Sequence, residues 1–155
     1  MRLAILSSRG PVPLAMASFL VFLSVPLVHA DEAVDAQSVA EGYLKLLDQN
    51  DADGAWGKVG EQWKRTTSKA EWMAAARTWL TAKGGAASKR ELVVQRAMTP
   101  EEARQIAPQS TAAGVVYVFR YRSTYPQGTF FEDVYINRDS DGVLRVGGHR
   151  PQPAE

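Results

Sequence analysis

His149 is the only histidine after His29, and so the only later side chain whose ordinary pKa suits proton transfer near neutrality. A site built from several histidines is therefore excluded from the region after residue 30. No cysteine occurs in the 155 residues, which removes thiolate catalysis, disulfides and a lipid-anchoring cysteine. No G-x-S-x-G elbow or other nucleophile signature accompanies His149. Near the end of a strand and beside a proline-rich tail, it reads as an exposed strand-end residue.

Two stretches imitate calcium loops. Residues 49–60 place Asp51, Asp53 and Gly54 at the third, fifth and sixth positions, but Gln49 and Gly60 stand where the first and last acidic ligands belong. "NRDSDG" repeats the local pattern with Gly148 at its twelfth position. Both read as turns, and neither a metal nor another cofactor is expected.

The carboxylate of greatest chemical interest is Glu132, because strand alternation puts it on the side of Phe130, Val134 and Ile136. If that side is the core, its charge needs a cationic partner, for which Arg77 and Arg90 are the candidates. The alternative leaves Glu132 in water at a frayed strand start. Arg120 and Arg122, with Tyr135 and Arg145 on the following strands, define a second candidate, a cationic and aromatic surface suited to an acidic partner or an anionic envelope ligand. The competing reading is a solvated outer sheet face.

All four tryptophans fall between residues 55 and 80. Trp56 and Trp63 are seven residues apart, as are Trp72 and Trp79, so each pair returns to one face of a helix. Trp72 and Trp79 are assigned to the core. Trp56 and Trp63, with Tyr43 nearby, either complete that core or line a ligand pocket.

These residues need elements to hold them. Val34, Val39, Ala40, Tyr43, Leu46 and Leu47 recur at helical spacing and predict a helix over 32–49. A second, weakened by Gly57 and Gly60, is predicted over 54–65. A third starts at the capping box Ser68-Lys69-Ala70-Glu71 and ends at Gly84-Gly85. After Gly85 the period changes to that of strands, at 88–98, 114–125, 129–137 and 142–149, with a short helix over 100–106 introduced by Thr99 and Pro100. The expected architecture is α+β, with three N-terminal helices packed on one face of a four-stranded antiparallel meander and a short helix between strands one and two.

The first 30 residues carry Arg2, Arg9, an apolar run from Leu14 to Val28 and Val28-His29-Ala30, which reads as a signal peptide cut after Ala30. A single domain is expected over 31–150, with 151–155 as a flexible tail. Removing Arg2 and Arg9 leaves 16 basic against 17 acidic residues, a near-neutral domain without the basic cluster that nucleic acid would require. No membrane span is expected after cleavage, and the location implied is periplasmic or secreted in a bacterium.

The run "AEGYLKLLDQNDADGAW", Trp72 followed by Arg77, Gly85 with Ser88 and Arg90, and "YVFRYRSTY…FEDVYINRDSDGVLRVGGH" together resemble an uncharacterised exported bacterial family, the domain of unknown function numbered 4019. The resemblance implies export and an α+β domain, but no catalytic set. The order of helices and sheet is also similar to cystatin-like and nuclear-transport-factor-like rolls, by fold analogy alone. The function expected is a non-enzymatic periplasmic binding or accessory domain whose partner is a protein or an envelope ligand. The alternative is a ligand-binding or catalytic roll with a pocket between helices and sheet.

Overall fold

The computed structural model describes residues 28–108 and 110–154, so the expected leader lies, up to residue 27, outside the described residues. The elements are α1 (Val28–Asp48), α2 (Ala52–Gly57), α3 (Glu61–Thr66), α4 (Lys69–Lys83), β1 (Lys89–Met98), α5 (Pro100–Ile106), β2 (Val116–Tyr125), β3 (Gly128–Arg138) and β4 (Leu144–Pro153). The fold is α+β with one antiparallel sheet in the order β1-β2-β3-β4.

The predicted second helix is two helices. Between them Lys58 to Gly60 runs beside β4, where the Gly60 amide donates to the Val146 carbonyl and the Val146 amide to the Lys58 carbonyl. Gly60 permits this close approach, because a Cβ there would lie 3.1 Å from Asp139 Oδ1. Having no capping side chain of its own at Gly60, α3 uses Asp139 of the β3–β4 turn, whose Oδ2 accepts from the Glu61 amide at 2.9 Å. The break also separates Trp56 from Trp63, which therefore do not form a stripe on one helix. By contrast, α4 and α5 each begin with the reciprocal capping box, at Ser68/Glu71 and Thr99/Glu102.

The main core joins Ala36, Ala40, Tyr43, Leu44 and Leu47 of α1, with Ala55 and Trp72, to Tyr117, Phe119, Tyr121, Val134, Ile136 and Val146 of the sheet. Alternation along β3 predicted its inner face correctly, with Val134 and Ile136 in the core on the side of Glu132. On the outer face, Met98, Val116 and Ala103 of α5 form a second, smaller cluster with Ala112.

Gly147 changes the pattern within β4. Ile136 pairs with Val146 and Tyr135 with Gly148, leaving Gly147 as an extra, bulged residue. The residues that follow are offset by one, so His149 pairs with Val134 and turns inward. Its side chain is only 6% exposed, which corrects the expectation of a solvent-facing strand end. β4 also continues past residue 150, with Glu132 paired to Pro151 and Phe130 to Pro153, so the expected tail is mostly strand. The Ala154 amide donates to Thr129, which places the positions of Pro151 and Pro153 on the opposite, open edge. Proline is tolerated there because no ladder donor is needed.

Candidate functional site

Glu132 lies on the core face of β3 with no exposure at all. Its Oε2 accepts from Arg90 Nη2 at 3.2 Å, and its Oε1 accepts from the Tyr125 hydroxyl at 2.9 Å. Lys83 Nζ is 3.7 Å from Oε1 and His149 Nε2 is 3.3 Å away, the latter within ion-pair reach without hydrogen-bond geometry. Arg90 extends the cluster to Asp48 of α1, donating to Oδ2 at 2.6 Å, and to Ser123 Oγ at 3.1 Å. Two carboxylates, Glu132 and Asp48, thus balance Arg90 and Lys83. Arg77, the other partner considered from sequence, sits exposed on the solvent side of α4 and takes no part.

The surroundings set the protonation states. Burial raises the Glu132 carboxyl, but the His149 contact together with Arg90 and Lys83 outweighs it and holds the group at about 2. Burial lowers the Lys83 ammonium to about 8 against the opposing pull of Glu132. The Lys83 side chain is enclosed by rings, its Nζ lying 3.3 Å from the centroid of Trp79 and 4.3 Å from those of Tyr125 and Phe130. Burial, followed by the Glu132 charge, raises the Tyr43 hydroxyl and keeps it a donor. That hydroxyl is 3.4 Å from His149 Nδ1. Both ring nitrogens face protein groups, and the ring edge packs against Tyr43 and Trp79. The His149 side chain is thus held among Tyr43, Trp79 and Glu132.

A different region is open. A cleft of about 460 Å³ crosses the outer sheet face between α3, α5 and the bulged part of β4. Its volume lies in the range of about 300 to 1,000 Å³ common to ligand sites. Trp63 and Ile106 line it, with Val116, Tyr135 and Asn137 from the sheet and Arg150 also contributing. Asn137 is 8% exposed, and among the described residues no protein group is hydrogen-bonded to its carboxamide. Gly147 makes room for it: a Cβ on Gly147 would lie 1.9 Å from Asn137 Oδ1. The bulge therefore creates a notch for an amide at the base of the cleft.

Trp56 packs on Trp72 at 5.6 Å between ring centroids and lies at the margin of the main core. Trp63 touches that core but also lines the cleft. A smaller groove of about 200 Å³ on the helix side is bordered by Tyr43, Trp63, Trp72 and Trp79. It is below the size typical of a ligand pocket.

The four residues of the expected cationic surface have separate roles. Arg120 donates to both oxygens of Asp133, from Nε at 2.6 Å and Nη2 at 2.9 Å. Arg145 is drawn to the β3–β4 turn, where it meets Asp139 at 3.1 Å and Asp141 at 2.7 Å. These bonds explain the calcium-like turn, since its carboxylates hold Arg145 and cap α3. Asp51 of the earlier imitation caps α2, accepting from the Gly54 amide at 2.8 Å. Tyr135 faces the cleft, and Arg122 is exposed. Asn137 and Gly147 were missed, although a glycine doublet inside a strand is the sequence signal for a bulge and close packing.

Helices over one face of a four-stranded antiparallel meander, with α5 and a cleft on the other face, define a small α+β domain. Residues 39–149 match the family described as proteins of unknown function, DUF4019, and the chain belongs to that family. No curated protein and no solved structure matches the chain.

Proposed function

We propose that the chain is an exported, non-enzymatic binding module of the bacterial periplasm whose ligand occupies the outer-face cleft. The observation that carries this reading is the 460 Å³ cleft with the Asn137 carboxamide, which no other described residue hydrogen-bonds, at its base. The carboxamide opens to the cleft, so its hydrogen-bonding capacity is available to a bound ligand. The non-enzymatic reading rests on the sequence, which carries no nucleophile signature and no second histidine after residue 30. Export rests on the leader-like sequence of the first 30 residues.

Native mass spectrometry of the full chain recovered from cell-envelope fractions tests the reading. A co-purifying small molecule is expected, released on denaturation and absent from Ala107→Trp, which places an indole in the cleft. Recovery of the protein only from cytosol would refute the location. An undiminished load on Ala107→Trp would refute the site.

A further inference from the structure

The cleft has different chemistry at its two ends. Asp133, 2% exposed, accepts from Arg120 and also from Arg150 Nη2 at 2.8 Å, so two guanidiniums share one carboxylate. One positive charge is left uncompensated there, and the Arg150 side chain remains 54% exposed at the cleft rim. None of the described residues lining the cleft is acidic. An anion placed at that end meets attraction without an opposing carboxylate in the lining.

At the other end stands Asn137. Its Oδ1 is pressed into the Gly147 notch, leaving Nδ2 as the donor free for a ligand. Asp133 and Asn137 share the outer face of β3, four residues apart, which is about 13 Å along a strand. The side chains between are mainly apolar or aromatic, with Tyr135 and Val116 on the sheet and Ile106 across from them.

Building on the reading of this cleft as a ligand site, we propose that it takes an elongated anionic amphiphile. The carboxylate lies at Arg150, an apolar body crosses Tyr135 and Val116, and a hydroxyl or carbonyl at the far end accepts from Asn137. The ligand is held at two points separated by the length of the cleft. A plain fatty acid engages one of them, as does a neutral diol.

Titration of the full chain by two-dimensional amide NMR, with 10-hydroxydecanoate, decanoate and 1,10-decanediol as probes, separates the contributions. The hydroxy acid is expected to bind best, with decanoate about fivefold weaker and the diol about tenfold weaker. Asn137→Ala should abolish the difference between hydroxy acid and decanoate. Arg150→Gln, at an exposed position, should abolish the difference between hydroxy acid and diol. Equal affinity for the three probes, or the same ranking in both variants, would overturn the two-point proposal while leaving the cleft a ligand site. No shift at Val116, Tyr135 or Gly148 with any probe up to about 1 mM would overturn the proposal and count against the cleft reading as well.

Discussion

Replacing Glu132 by Gln keeps the shape of the side chain and removes the negative charge at the centre of the buried cluster. In the native protein the carboxyl is held at about 2, against an ordinary value of 4.5. A difference of that size corresponds to about 3 kcal/mol of stability. The folded-state pKa is depressed, so this contribution is complete above pH 4.5 and is lost as pH falls toward 2. The Gln variant resembles the protonated acid and should therefore be about 3 kcal/mol less stable at pH 7. Leaving Arg90 and Lys83 with Asp48 alone raises the cost toward about 5 kcal/mol. Urea unfolding of both proteins at intervals from pH 2 to 7 measures the difference directly. The gap should shrink to roughly half near pH 3 and close near pH 2. A loss below about 1 kcal/mol at pH 7, or a gap of constant size across the range, would refute a buried, ionised Glu132.

Lys83 makes a second pH prediction, on the alkaline side. Its ammonium is lowered to about 8 in the fold, so stability should rise as pH increases from 8 to 10, and Lys83→Met should remove that rise in urea unfolding. Gly147→Ala brings a methyl onto Asn137 Oδ1 and should cost about 1 to 3 kcal/mol, with the loss largely recovered in the double variant carrying Asn137→Ala. Ser68→Ala removes the side-chain half of the α4 capping box and should lower stability by about 1 kcal/mol without altering ligand binding, as read by urea unfolding and NMR titration.

Much of the sheet was legible because its physical rule is simple. Period-two alternation placed Glu132 on the side of Val134 and Ile136, and burial of that side calls for a cationic partner, which of the two arginines considered is Arg90. The rule failed at Gly147, where an extra residue shifts the alternation and sends His149 inward. Helical period likewise linked Trp56 to Trp63 across Gly57 and Gly60, but pairing of Lys58 to Gly60 with β4 interrupts that helix. Lys83 was hidden for another reason. Beyond Trp79 one turn away on α4, its burial depends on rings from β2 and β3, and local pattern cannot register two distant strands closing over one ammonium. The cleft is invisible in the same way, since α3, α5 and β4 meet there only after folding.

The Gly147 bulge makes the number of residues in β4 as consequential as their identity. Excising that one glycine would restore strict alternation and exchange the inside and outside of everything after it. Arg150 would point into the core and His149 into water, without a single side chain being altered. Tolerance of this strand to change is thus asymmetric: a conservative replacement on its surface is absorbed locally, whereas a single-codon deletion inverts its whole final segment.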